Sequence, residues 1–229
     1  MTNYENTSIS EATRIQNELR AKVDIAERNL TITTIGGADI SLNLYSSTIY
    51  AGIILLSFPQ LQPLAYSLVK AETRFPYVPG FLAFREVPAL IKVWEQIPIK
   101  PDVLVVDGHG IAHPRRMGIA AHFGASTGQP SMGCAKKILF GKFNEPGLQQ
   151  GAYSSIMGKE EQIGYAYRSK TNVKPVFVSP GHLIGLQNSL EIIQKCTGKY
   201  RIPEPTRLAH ELVNRFRKGE LSEGYHEVS

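Results

Sequence analysis

Cysteine is scarce in this 229-residue chain: Cys134 and Cys196 are the only two, and they form no CxxC pair. That excludes a disulfide framework and a cysteine-based zinc set, and leaves reduced thiols as the default. Long apolar runs are missing too; stretches such as Ala51 to Leu56 fall far short of the roughly 18 residues a membrane span needs. The N-terminal stretch MTNYENTSISEATRIQNELR has no apolar core and mixes acids with bases. It reads as neither a secretory signal nor a transit peptide, so a cytoplasmic location is expected. Internal repeats, low-complexity tracts and linkers are also lacking, and 42% hydrophobic with 20% charged residues is a globular balance. A chain of this length can bury a core without staples. One domain over residues 1–229 is expected, with a loosely held tail from about residue 219.

Acids are absent between Gly108 and Asn144, where five bases occur: Arg115, Arg116, Lys136, Lys137 and Lys142. From Lys195 to Lys218, seven bases stand against Glu204 and Glu211 alone. With a formal net charge of +5, these segments favour an anionic partner such as nucleic acid, while charge alone describes solvated helix faces equally well.

Patterning predicts one mixed α/β sheet. Ser8 and Glu11 have capping-box spacing, and Ile15, Leu19 and Val23 recur at helical intervals, which predicts a helix over about 10–25. Three apolar or β-branched segments, 31–44, 49–58 and 65–72, read as an antiparallel meander with turns at Ser46-Ser47 and between Pro59 and Pro63. Residues 74–86 interleave Pro76, Pro79 and Gly80 with Phe75, Tyr77, Phe81 and Phe84, which predicts a stiff loop. A helix is then expected from near Arg85, with Pro88 in its first turn and Glu86 near its N-terminus. The continuous apolar run Val103 to Val106 predicts a central strand ending at Asp107 and Gly108-His109-Gly110. Beyond it, the patterns predict a short helix at 117–125, strands at 131–135, 162–168 and 173–179, and helices at 186–195 and 205–218, with 144–161 as an exposed loop or hairpin. A meander followed by alternating helices and strands gives an α/β class with parallel strands added to an antiparallel set and helices flanking the sheet.

Asp39 within a strand, Glu86 at a helix start and Asp107 at a strand's carboxyl end are separated by 47 and 21 residues, so only tertiary folding can gather them. Carboxylates at close range repel and raise one another's pKa unless a cation lies between them. An oxygen-only set suits Mg²⁺ or Mn²⁺, ions that retain waters, accept phosphate oxygens and support phosphodiester hydrolysis. Taken singly, each acid reads as a cap or an ion-pair partner rather than a metal ligand.

The runs GGADIS (36–41), FPYVPGFLAFRE (75–86), KPDVLVVDGHGIAHPRRMGIAAHFG (100–124), GCAKK (133–137), FVSPGH (177–182) and RIPEPTRLAH (201–210) closely resemble endonuclease V, the inosine-directed repair nuclease family. The resemblance covers residues 10–218 in family order. It implies a ribonuclease-H-like fold and Mg²⁺-dependent hydrolysis, with Mn²⁺ as an alternative ion. The implied partner is DNA containing deaminated bases, with inosine-containing RNA as a second substrate class. The implied cut is the second phosphodiester bond 3′ to the lesion, leaving 3′-hydroxyl and 5′-phosphate ends. By the same resemblance Asp39, Asp107 and Glu86 are metal-site acids, His210 the active-site histidine and Lys136 the active-site lysine. A lysine beside the scissile phosphate offsets transition-state charge, and a histidine orients water or moves a proton.

Pro76, Tyr77, Val78 and Pro79 match the family's strand-separating wedge. Two prolines hold the Tyr77 ring on a stiff projection, so inserting it between bases costs little ordering entropy; from the residues alone, an aromatic loop folded into the core is the alternative. Gly80, Gly108 and Gly110 let the backbone approach a flipped base. Arg85, His113, Arg115 and Arg116 are candidate phosphate contacts. His109 reads as pocket lining and Cys134 as buried filler. The rival functions are a catalytically silent inosine-binding protein and a related metal nuclease acting on RNA or branched structures.

Overall fold

The computed structural model describes residues 4, 7–42 and 46–228. The chain runs α1 (Ile9–Lys22), β1 (Thr34–Leu42), β2 (Thr48–Ser57), β3 (Pro63–Glu72), α2 (Leu82–Gln96), β4 (Val103–Val106), α3 (Ile119–Thr127) and β5 (Ser131–Ala135). It continues with β6 (Lys142–Phe143), β7 (Tyr153–Met157), β8 (Gln162–Tyr167), β9 (Val176–His182), α4 (Leu186–Lys195), α5 (Glu204–Arg217) and β10 (Gly224–Glu227). The ten strands form one sheet in the order β10-β3-β2-β1-β4-β5-β9-β8-β7-β6. β4 runs parallel to β1 and β5, and the other pairings are antiparallel. This is the mixed α/β sheet that the order of elements predicts.

Both faces of the sheet are covered, which is why β4 is apolar at every position. On one face Val87, Leu90, Val93 and Trp94 of α2 and Phe123 of α3 pack on Ile49, Ile53, Leu104 and Val106. On the other, Leu190 and Ile193 of α4 and Ala209 of α5 pack on Ile35, Val103, Val105 and Val178. Period-two alternation sends the odd-numbered residues of β1 toward α5. At Gly37 the approach is so close that a Cβ would lie 1.9 Å from the Pro205 carbonyl oxygen. α5 therefore rests on β1 backbone to backbone, one strand pitch from Asp39.

Several boundaries differ from the sequence expectation for physical reasons. α1 begins as expected, with Ser8 Oγ accepting from the Glu11 amide at 3.2 Å, but it ends at Lys22 because Val23 turns to extended geometry. The first strand starts at Thr34, and residues 43 and 44 of its expected span lie outside the described residues. α2 starts at Leu82 rather than near Arg85, because Ala83 and Phe84 extend the buried stripe of Val87 and Leu90 backward by one turn. Pro88 accordingly sits inside the helix, and Glu86 falls in its second turn. Residues 144–161 supply β7, half of a hairpin with β8. The stretch after 219, read from sequence as a loose tail, carries β10, which pairs antiparallel with β3 along Gly224↔Leu68 to Glu227↔Ala65. Its four residues show no apolar alternation, so pairing of the β3 edge and the stacking of His226 on Tyr66, ring centroids 4.8 Å apart, define it.

Candidate active site

The site lies where β4 ends while its neighbour β1 continues. Ala38 faces Val106 across the parallel pair, and the Asp107 amide donates to the Ala38 carbonyl at 2.9 Å. Asp39 and Asp107 are thereby brought side by side from distant parts of the chain. Asp39 is buried at 7% exposure, and the Asp107 side chain is 13% exposed. Each carboxylate holds one cationic or protonatable partner. Lys136, just past β5, donates from Nζ to Asp107 Oδ2 at 2.5 Å. His210, in the second turn of α5, donates from Nδ1 to Asp39 Oδ2 at 2.7 Å. Glu86 faces the same pair of acids from α2.

The electrostatics show a site short of positive charge. Burial, reinforced by Asp39 and Asp107, pushes the Glu86 carboxyl up to about 8 against a weaker opposing pull from Arg85. Burial and the Asp39 charge also raise Asp107, with Lys136 opposing. The hydrogen bond to Asp39 raises the proton affinity of His210, partly offset by its own burial. Donor atoms of Asp39, Asp107 and His210 all lie within 4.8 Å of one another, the grouping among the described residues that can hold a metal ion. The two carboxylate oxygens fit a hard divalent ion that keeps part of its water shell, with the imidazole as a neighbouring borderline donor. Glu86 stands close enough to feel both aspartates yet outside that tight set, with His210 in the position the sequence reading gave to the third acid.

Beside the acids, Tyr77, Gly80, Leu82, Glu86, Asp107, Gly108, His109, His113, Met117, Ile119 and Leu139 line a mostly apolar cavity of about 210 Å³. Tyr77 stands at its mouth, 73% exposed, so the alternative of an aromatic folded into the core does not hold for it. Phe75, Phe81 and Phe84 do fold inward, forming a buried aromatic cluster with Tyr4. Gly80 adopts φ of 80°. At Gly110 a Cβ would lie 2.0 Å from the Pro180 carbonyl oxygen, so this glycine serves close packing of the chain against β9. A larger cavity, about 310 Å³, lies against α2 around Phe84 and Pro88; of the site residues it shares Arg85 and none of the acids.

The proposed phosphate contacts occupy more internal places than their charge suggests. His113 is buried, and burial together with Arg115 lowers its pKa to about 4, so it is a neutral ring near pH 7. Arg115 lies over the Phe81 ring, 4.1 Å from its centroid, and donates to the Gly80 carbonyl. Arg85 donates to the Phe75 carbonyl at 2.7 Å, and Arg116 pairs with Glu161. His109 Nε2 is hydrogen-bonded to the Lys137 carbonyl. Cys134 is fully enclosed, as its reading as filler requires. Two residues that sequence reasoning missed support the site. Arg201 donates to the Lys136 carbonyl at 2.9 Å, holding the turn that presents the lysine. Asn214, one helical turn beyond His210, contacts its Nε2 at 3.1 Å; an i, i+4 spacing on α5 is the signal that points to it.

Comparison with known proteins agrees with this geometry. The sequence profile described as Endonuclease V matches residues 17–211. Endonuclease V of Dictyoglomus turgidum is 46% identical over 211 residues, covering 92% of each chain. The crystal structure of Endonuclease V from Streptomyces avermitilis superposes with a TM-score of 0.89 at 35% identity, covering 95% of this chain and 96% of that one. Ciona intestinalis Endonuclease V (D234N), solved with a 23mer DNA containing an inosine followed by a ribo-adenosine, gives a TM-score of 0.82 at 26% identity, covering 94% and 99%. No described helix is long and apolar enough to cross a membrane. A carboxylate pair with lysine and histidine partners, set on this sheet and matched over nearly the whole length, makes the chain a member of the endonuclease V family, and an endonuclease.

Proposed function

We propose that this endonuclease recognises hypoxanthine in DNA and hydrolyses the second phosphodiester bond on its 3′ side with Mg²⁺ or Mn²⁺, leaving a 3′-hydroxyl and a 5′-phosphate. The observation that carries the reading is the convergence of Asp39, Asp107 and His210 beside the glycine-edged cavity. A divalent ion held by Asp39 and Asp107 would supply charge neutralisation for the phosphate and acidify water, leaving the second ring nitrogen of His210 for the proton. The acids hold that charge in place, with Glu86 close enough for its raised proton affinity to register each change at the pair. Lys136, already against Asp107, supplies a fixed cation for charge that develops on the phosphate oxygens. Water adds to phosphorus as the bond to the 3′ oxygen breaks, and that oxygen needs a proton. His210, whose basicity Asp39 raises, is the chain's own candidate to orient the water or to carry the proton.

Substrate choice rests on the cavity and the loop at its mouth. An extruded purine offers flat π faces to a cavity lined by Met117, Ile119 and Leu139, and Tyr77 fills the space the base leaves in the stack. That the Ciona protein was solved with inosine-containing DNA supports the substrate class. The test is cleavage of a labelled hypoxanthine oligonucleotide in Mg²⁺ by wild type and by Asp107→Ala. Wild type is expected to cut and the variant to lose most activity; equal activity in both rejects the site.

A further inference from the structure

Gln16, on the inward face of α1, is only 1% exposed, and a buried amide needs partners at both ends. It has them. Its Oε1 accepts from Arg115 Nε at 2.6 Å, and its Nε2 donates to the Gly80 carbonyl at 3.0 Å. Arg115 Nη2 donates to that same carbonyl at 2.6 Å, closing a three-membered ring of contacts. A Cβ at Gly80 would come within 2.6 Å of Arg115 Nη2, so the ring closes because this residue has no side chain. Gly80 ends the loop that begins at Phe75, and the Phe75 carbonyl is pinned separately by Arg85. Tyr77 projects between these two posts.

We propose that Gln16 is a positioning residue for strand separation: by locking Arg115 to the Gly80 carbonyl, it lets α1 set the stance of the Tyr77 loop. The inference rests on reading that loop as a wedge, and Gln16 itself stands one residue before the stretch matched to the family. A ring that must part stacked bases works only if its base does not yield. Arg115 alone cannot provide that rigidity, because without Gln16 its guanidinium keeps the Phe81 ring and the Gly80 carbonyl but loses the acceptor that fixes Nε.

The clamp matters where paired bases have to be opened, so duplex and single-stranded substrates separate its role from general folding. Gln16→Leu is expected to lower kcat/KM about tenfold on duplex hypoxanthine DNA and less than about twofold on the single strand, the scale of a lost buried hydrogen bond to a charged group. Gln16→Glu keeps an acceptor for Arg115 but cannot donate to Gly80, and is expected to show a smaller loss with the same duplex-only pattern. It carries the comparison if the leucine variant does not fold. Hydrogen exchange of the peptide 75–82 gives a readout independent of cleavage, expected to quicken in both variants. Equal losses on both substrates, an undiminished rate on the duplex, or unchanged exchange in 75–82 would overturn the proposal. Failure of the wild type to cut either substrate would instead overturn the functional reading beneath it, with the exchange rates still deciding whether the clamp exists.

Discussion

Replacing Glu86 with Gln should make the metal-free protein more stable, increasingly so as pH rises. In the unfolded chain Glu86 ionises with the ordinary value of 4.5, whereas burial and two neighbouring aspartates lift it to about 8 in the folded chain. Between those values the native state holds a proton that the unfolded state has released, so raising the pH draws wild type toward unfolding. At 1.36 kcal/mol per unit, the wild-type penalty grows from about 1 kcal/mol at pH 5.5 to about 5 kcal/mol at pH 8.5, an upper figure before local relaxation. Glutamine has the same shape and no charge to release. The stability difference between variant and wild type is therefore expected to widen by about 3–4 kcal/mol over that range, or roughly 10 °C in melting temperature for a chain of this size. Comparing the two proteins cancels the buried histidines, whose depressed pKa values make both less stable below the unfolded value of 6.5. The assay is urea unfolding followed by far-UV circular dichroism in EDTA at several pH values, repeated with millimolar Mg²⁺. Added Mg²⁺ should narrow the gap, because a cation beside Asp39 and Asp107 offsets their charge and eases ionisation of the Glu86 carboxyl, which only wild type carries. Parallel pH profiles for the two proteins in EDTA would refute the reasoning, because the carboxyl would then be no harder to ionise in the fold than outside it.

Lys136→Met removes the cation from Asp107, and single-turnover cleavage of the hypoxanthine oligonucleotide is expected to fall on the order of a hundredfold; an unchanged rate would deny the lysine a role in charge stabilisation. Gly37→Ala puts a methyl 1.9 Å from the Pro205 carbonyl oxygen, so a loss of about 1–3 kcal/mol or more is expected, with activity falling further as α5 carries His210 away from Asp39. A urea midpoint equal to wild type would refute that packing. Both thiols are pushed up by burial, Cys196 to about 12, so a chromogenic disulfide reagent at pH 8 should react only as fast as the chain unfolds. Rapid labelling of either cysteine in native buffer would contradict their enclosure in one core cluster with Val178 of β9 and Ile193 of α4.

How much was legible in the sequence depends on whether a residue's role was set by its neighbours in the chain. An acid inside the β-branched run at Asp39 and another closing the apolar run at Asp107 are conspicuous because a buried strand has no ordinary use for them. Helix periodicity located α4 and α5 to within a residue. The start of α2 was missed because Pro88 resembles a first-turn proline, whereas the buried stripe through Ala83 and Phe84 outweighs its cost. Arg115 and His113 were read as phosphate contacts because both stand in a stretch without acids. What decides the place of Arg115 is contact with Gln16 and Gly80, 99 and 35 positions away, which no local pattern records. β10 was invisible for the same reason, since Gly224–Glu227 acquires strand geometry only from the partner it meets.

That last pairing bears on how the protein is handled. Truncation after Lys218 would uncover the β3 edge along residues 65–68, leaving its amide and carbonyl row as a template on which a second molecule can add a strand. Shortened versions should therefore precipitate or self-associate even with every active-site group intact. An affinity tag appended at that end is best spaced by a flexible linker, so that the closing ribbon can still dock.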